Sequence, residues 1–60
     1  MKLYIYNIES NEIVLIVNGE TNEQCEEKAI QLDRKYPLDE YGWSYTTGNE
    51  LYETTQTEEI

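Results

Sequence analysis

The segment Ile13–Val17 is a run of five aliphatic residues in a chain of 60, and it limits the folds open to the whole chain. A strand exposed on one face alternates apolar and polar residues, whereas an uninterrupted apolar run is typical of a strand covered on both faces. Asn18 and Gly19 end the run. The sequence therefore predicts a sheet built around this strand, with material packed on both of its faces.

Two further segments have the composition of strands. Residues 2–7 alternate aliphatic and tyrosine side chains, and residues 41–46 alternate large aromatic and small ones. Asn11 tolerates the left-handed backbone that a four-residue hairpin loop often needs, so a loop over residues 8–11 joins the first two strands. We therefore expect a β-hairpin followed, after an intervening segment, by a third strand that pairs with the first.

The intervening segment has the signals of a helix. Thr21 and Gln24 match a capping box for a helix that begins near Asn22, and Pro37 ends it at Tyr36. Its apolar positions form a stripe at helical spacing that should pack on the sheet. These positions are Cys25, Ala29, Leu32 and Tyr36.

The predicted fold is a small α+β domain with ββαβ order over residues 1–46. Its sheet is three-stranded and mostly antiparallel, in the spatial order 2-1-3, with one helix packed on one face. Residues 47–60 are polar and acidic and show no apolar periodicity. Segments of this kind bury too little apolar surface to order, so we expect a flexible, disordered C-terminal tail.

The chain has one cysteine, Cys25, and no histidine. An internal disulfide is impossible, and the ligands of a zinc site are absent. No Cys-His or Ser-His nucleophile pair can form, and 60 residues offer little room for a substrate pocket. The sequence therefore favours a binding protein over an enzyme, and it indicates no metal, cofactor or catalytic residue.

The chain is strongly acidic, with 13 acidic and 4 basic side chains and a formal net charge of −9. This balance disfavours direct binding to nucleic acid or to anionic membranes, which depends on Lys and Arg. The predicted acidic surface is either a solvated face that maintains solubility or a mimic of a phosphate array that fits a basic protein groove. Its residues are Glu23, Glu26, Glu27, Asp33, Asp39 and Glu40.

One helix covers one face of a sheet, so the opposite face should be open. Tyr4 and Tyr6 lie on it, together with alternate residues of the second strand, either the even-numbered or the odd-numbered positions of 13–17. An open apolar patch marks an interface, so we expect a homo-oligomer through Tyr4, Tyr6, Val14 and Ile16. Partial cover by Leu51 and Tyr52, or a different protein partner, are the alternatives.

The chain resembles small acidic proteins encoded by phages and prophages of Gram-positive bacteria, over roughly residues 2–46. The resemblance rests on the segments Tyr4-x-Tyr6, Asn11-Glu-Ile-Val14, Gly19-Glu-Thr-Asn22, Cys25-Glu-x-Lys28-Ala29 and Tyr41-Gly-Trp43. Some of those proteins look like anti-CRISPR or other anti-defence proteins. The resemblance implies a protein that disarms a host nucleic-acid enzyme, and it assigns no role to any single residue.

The sequence thus favours a phage-type inhibitor or modulator that binds a basic groove of a host nucleic-acid-binding enzyme, such as a CRISPR nuclease. One alternative is a homo-oligomeric structural or assembly protein whose acidity serves solubility alone. A third is an oligomer that acts on DNA directly as a binder or weak nuclease, which the charge disfavours. The sequence has no signal peptide and no apolar run of membrane-spanning length, so we expect a cytoplasmic protein.

Overall fold

The computed structural model describes all 60 residues and contains four strands and one helix. In chain order these are β1 (Lys2–Asn7), β2 (Glu12–Asn18), α1 (Asn22–Ile30), β3 (Tyr41–Ser44) and β4 (Tyr52–Glu59). The strands form a single mixed sheet in the order β3-β1-β2-β4. β1 is antiparallel to both β2 and β3, and β4 is parallel to β2. The chain is therefore a small α+β domain with a four-stranded sheet.

The expectation of a three-stranded sheet with a disordered tail over residues 47–60 is wrong. The hairpin and the antiparallel pairing of β3 with β1 were predicted, but the tail forms β4, an edge strand beside β2. β4 is polar, and main-chain bonds attach it to β2: the Ile60 amide donates to the Ile16 carbonyl at 2.9 Å, and the Asn18 amide donates to the Ile60 carbonyl at 3.0 Å. Main-chain hydrogen bonds do not require alternating apolar side chains, so the sequence of β4 lacks the alternation by which strands are usually predicted.

The β1–β2 loop closes through asparagine side chains and backbone. Asn11 has φ 63°, in the left-handed region where asparagine is tolerated. The Asn7 side-chain oxygen accepts hydrogen bonds from the amides of Glu9 at 2.9 Å and Ser10 at 3.2 Å, which is the geometry of an Asx turn. The predicted loop over residues 8–11 is thus present, with Asn11 in the predicted conformation.

A β-bulge in β2 determines which side chains lie on each face. Ile5 is opposite Leu15, but its neighbour Tyr6 is opposite Ile13, so Val14 is an extra residue. The bulge places both Val14 and Leu15 on the face covered by α1, where Val14 packs against the core. Neither of the two alternating arrangements considered from the sequence is therefore correct. Ile13 and Ile16 lie on the face away from α1.

The main core lies between α1 and the sheet. Its buried residues are Leu3, Ile5, Leu15, Val17, Cys25, Ala29 and Tyr36. α1 ends at Ile30, earlier than the predicted Tyr36, but tighter turns continue it: the Leu32 amide donates to the Ala29 carbonyl and the Lys35 amide to the Leu32 carbonyl, both at 3.0 Å. The predicted apolar stripe therefore packs on the sheet although the regular helix is shorter.

The segment 46–51 covers part of the face away from α1. The chain makes two connections between parallel strands, from β2 through α1 to β3 and from β3 to β4. The first connection runs toward one edge of the sheet and the second runs toward the other. Because both should be right-handed, they must cross opposite faces of the sheet. In agreement, residues 46–51 line a cavity of about 430 Å³ together with Tyr6 and Asn11. Ile13 is 0 % exposed and Ile16 is 5 % exposed. The sheet is thus covered on both faces within one chain.

Candidate protein-binding surface

Most acidic side chains of the domain have no cationic partner. The two ion pairs join Lys2 to Glu59 and Lys35 to Glu58, both with N···O distances of 3.8 Å. Because both are exposed to solvent, each contributes little to the stability of the fold. The Lys28 ammonium group donates to the Asn18 carbonyl at 2.7 Å instead of to a carboxylate. Eleven of the 13 acidic side chains are therefore free of ion pairs.

One group of predicted contact residues lies on α1, and we call Glu23, Glu26 and Glu27 the helix acids. Glu23 and Glu27 are exposed, whereas Glu26 is half-buried. The Tyr45 hydroxyl donates to the Glu26 carboxylate at 2.5 Å and lies 3.4 Å from the Asn22 carbonyl. Tyr45 therefore holds one helix acid in place beside the end of β3 and leaves the other two free.

A second group lies at the hairpin end of the sheet, and we call Glu9, Asp39 and Glu40 the hairpin-end acids. They line a cavity of about 320 Å³ with Asn7 and Ile8. The Ile8 amide donates to the Glu40 carbonyl at 3.1 Å, which attaches the segment before β3 to the hairpin loop. The predicted contact residues Asp39 and Glu40 thus lie close to Glu9, which the sequence prediction did not include.

The six predicted contact residues therefore do not form one continuous row. β3 runs between the two groups, since it begins directly after Glu40 and ends one residue before Tyr45, whose hydroxyl contacts Glu26. Asp33 lies apart, exposed in the turns after α1 and without an ion pair. The structure brings together the helix acids at one end of β3 and the hairpin-end acids at the other.

The four predicted oligomer-interface residues do not lie on one open patch. Tyr4 and Tyr6 are half-buried on the face away from α1, and the Tyr6 ring covers Gly42, where a Cβ atom would be 2.6 Å from the ring. Ile16 is on the same face but is buried within the chain. Val14 is on the opposite face because of the bulge. Of the four, only Tyr4 and Tyr6 therefore share a partly exposed face.

Tyr45 and Glu9 are the two contributors to this surface that sequence reasoning missed. The alternation over residues 41–46 predicts one aromatic face for Tyr41, Trp43 and Tyr45, and Tyr41 and Trp43 do pack against the core. The Tyr45–Glu26 contact joins residues 19 positions apart on different elements, and no local pattern indicates it. Glu9 was read only as a loop residue.

The Tyr45–Glu26 hydrogen bond predicts a delayed alkaline titration. The bond, followed by desolvation and the negative charge of Glu26, raises the pKa of Tyr45 from 10.0 to about 12. Because the folded-state pKa is above the unfolded one, this bond stabilises the fold fully below pH 10 and is lost as the pH rises through about 12. Tyrosinate absorbance should show Tyr45 ionising at about pH 12, and in Glu26→Gln the same residue should ionise at a lower pH. An unchanged titration in that variant would contradict the assignment.

Three further features concern the cysteine, the acidic side chains and the helix. Cys25 is fully buried, with its sulfur 3.7 Å from the carbonyl oxygens of Met1 and Val17. No group of three or more His, Cys, Asp or Glu side chains is arranged to hold a metal ion. The single short helix is neither long enough nor apolar enough to span a membrane.

No protein-family model, curated protein or solved structure matches the chain.

Proposed function

We propose that the chain is an inhibitor or modulator that binds a basic, nucleic-acid-binding groove of a protein partner through its acidic surface. The observation that carries this proposal is the field of eleven unpaired acidic side chains on a folded domain. The resemblance to phage proteins suggests the partner class, a host nucleic-acid enzyme such as a CRISPR nuclease. A partner of this class would place the chain in the cytoplasm of the host.

The charge density of the domain supports mimicry of a nucleic acid. The domain carries nine net negative charges within a longest dimension of 26 Å, and one DNA strand of that length carries about eight phosphates at 3.4 Å each, so the total charges are similar. A groove that attracts phosphates would attract this domain by the same long-range field, and association would be faster at low ionic strength. The proposal therefore requires binding that weakens steeply as salt rises.

The ordered sheet supports specific recognition over general charge attraction. The carboxylates are displayed from elements whose positions are determined by the core, and Tyr45 restricts Glu26 further. Groups that are ordered before binding lose less conformational entropy on binding, so more of the electrostatic attraction remains as affinity. A charged, disordered tail would lack this advantage.

Charge reversal of two helix acids tests the proposed surface. We expect Glu23→Lys with Glu27→Lys to weaken partner binding at least about tenfold, since loss of one close charge contact costs about 1.5 kcal/mol or more. Glu26 is left unchanged because its carboxylate contacts Tyr45. The measurement is capture of basic nucleic-acid enzymes from host lysate, elution by a salt series, and titration of the captured enzyme with each variant.

The matched control is Glu50→Lys with Glu53→Lys, which changes the net charge by the same amount near the start of β4. The control should retain affinity within about threefold, because distant exposed charges act mainly on association rate. Equal losses in both double variants would mean that net charge alone is responsible, and no loss in either would refute the acidic surface. Light scattering on the same samples reports whether the chain self-associates.

A further inference from the structure

The two edges of the sheet differ in their protection against pairing with another strand. In β4 the partner register changes from Ile13–Glu53 to Leu15–Glu58, so residues 54–57 form an irregular excursion. The Thr54 amide donates to the Thr57 hydroxyl within it, at 2.9 Å. Irregularity and charged side chains are the usual means by which proteins prevent edge-to-edge association. β4 has both, because it also carries exposed acidic residues.

The opposite edge, β3, has neither form of protection. Its sequence is Tyr-Gly-Trp-Ser, without charge or proline, and its register with β1 is continuous from Tyr41 to Ser44. α1 packs over β1 and β2 and makes no close backbone approach to β3. An uncharged, regular edge strand that the helix leaves uncovered is the feature to which extended peptides add in strand-addition complexes.

The main-chain groups available on β3 follow from the hydrogen-bond alternation of antiparallel strands. The Ile8–Glu40 bond shows that every second residue, and hence Gly42 and Ser44, bonds to β1. Tyr41 and Trp43 therefore point their main-chain groups outward. The Tyr41 amide is occupied, since it donates to the Pro37 carbonyl at 2.9 Å. The Trp43 amide and carbonyl remain available, and an added strand would form its hydrogen-bonded pair with Trp43.

The charges around β3 indicate which occupant fits. The hairpin-end acids lie before Tyr41, and the helix acids lie on the helix that Tyr45 contacts beyond Ser44; the four-residue strand between these ends is about 13 Å long. A second copy is a poor fit, because antiparallel pairing about Trp43 would place the acids at one end of β3 against those of the other copy. A segment with cations at both ends of a short, extended centre complements both groups.

We infer that β3 is the docking edge for the partner, and that an extended segment flanked by Lys or Arg adds to it as a fifth strand. This inference rests on the proposed binding of a basic protein and names its mode. It assigns affinity to the Trp43 main-chain groups, and specificity to the helix acids and the hairpin-end acids at the two ends.

The experiment uses a dye-labelled peptide, Arg-Arg-Thr-Val-Thr-Arg-Arg with blocked ends, and fluorescence anisotropy at low salt. Two variants form a matched pair. Trp43→Ala and Trp43→Pro both lose the ring, but only the proline lacks the amide, at an edge position where proline is tolerated. We expect the proline variant to bind the peptide at least about tenfold more weakly than the alanine variant. In the proline variant the added strand loses the hydrogen bond from the residue 43 amide, and it clashes with the proline ring.

A second measurement keeps the inference testable if both variants fail to fold. In the unaltered protein, hydrogen exchange of the Trp43 amide should slow on peptide addition, while a Glu-Glu-Thr-Val-Thr-Glu-Glu peptide should have no effect. Equal affinities of the two variants, or unchanged Trp43 exchange in the bound protein, would overturn strand addition.

The outcomes separate the inference from the proposed function. If a basic enzyme binds in a salt-sensitive way but Trp43 exchange is unchanged, the acidic surface stands and the β3 edge does not. If neither basic enzymes nor the basic peptide bind, the proposed function and the docking of a strand on β3 are both refuted. A stable dimer that Trp43→Pro disrupts and Trp43→Ala preserves would identify a second copy as the occupant, which also overturns the inference.

Discussion

Deletion of residues 52–60 should unfold the domain at room temperature. The deletion removes β4, and with it the main-chain bonds to β2 and the Thr57 hydroxyl that donates to the Ile13 carbonyl at 2.6 Å. It also uncovers part of Ile13 and Ile16, each of which contributes about 1.5–3 kcal/mol when fully buried. A single core of this size supplies about 3–5 kcal/mol of net stability, so losing the bonds to β2 together with part of this burial removes most of that stability.

Circular dichroism and urea denaturation of the shortened chain measure this effect. The control is Glu53→Gln in the full chain, which removes one exposed charge from β4 and should change the free energy of unfolding by less than about 0.5 kcal/mol. The deletion also distinguishes an ordered strand from a disordered tail. A shortened chain with the denaturation midpoint of the full chain would show that β4 adds nothing to the fold.

Ile13→Ala should lower the free energy of unfolding by about 2–5 kcal/mol, the range for truncation of a fully buried aliphatic side chain. Ile13 lies on the face away from α1, so the loss would show that this face is part of the core and not an open surface. With a net stability of about 3–5 kcal/mol, a substantial fraction of the variant would be unfolded at room temperature.

Val14→Ala is the matched control for Ile13→Ala, because the two residues are adjacent and only Ile13 is fully buried. Val14→Ala should lower the free energy of unfolding by less, about 1 kcal/mol, because part of the Val14 side chain is already exposed to solvent in the folded domain. Urea denaturation monitored by the fluorescence of Trp43 measures both variants. If Val14→Ala were the more damaging of the two, the position of the bulge, and with it the assignment of faces, would be wrong.

Local signals in the sequence predicted the elements that local interactions form. Asn11 indicated the hairpin loop, and its φ of 63° agrees. Thr21 indicated the start of α1, where its hydroxyl accepts from the Gln24 amide at 3.2 Å. The Gln24 side chain accepts from Glu20, one residue before the predicted position. Each of these features depends on residues within four positions of one another, which is why short motifs detect them.

Two features of the fold had no readable pattern. Every residue from Ile13 to Val17 is apolar, so the run predicts burial but contains no alternation from which a bulge at Val14 could be located. β4 is almost entirely polar, and its contacts with β2 join residues more than 40 positions apart. Both depend on tertiary pairing that no window of neighbouring residues encodes.

The candidate surface was predictable in composition but not in arrangement. An excess of acidic residues without basic neighbours implies exposed charge, and most of the predicted residues are exposed. Their division into two groups follows from where β3 lies in the sheet. The Tyr45–Glu26 contact and the approach of Glu9 to Asp39 and Glu40 likewise depend on how the elements pack.

The covering of both faces of the central hairpin by later parts of the chain has a consequence for biosynthesis. β1 and β2 leave the ribosome first and can pair at once, but α1 and the segments after β3 that cover them emerge afterwards. Until residues 46–60 have emerged, β2 lacks its parallel neighbour and leaves Ile13 and Ile16 exposed to solvent. The nascent chain therefore passes through an aggregation-prone stage in which a chaperone would find a binding site that the finished protein no longer offers.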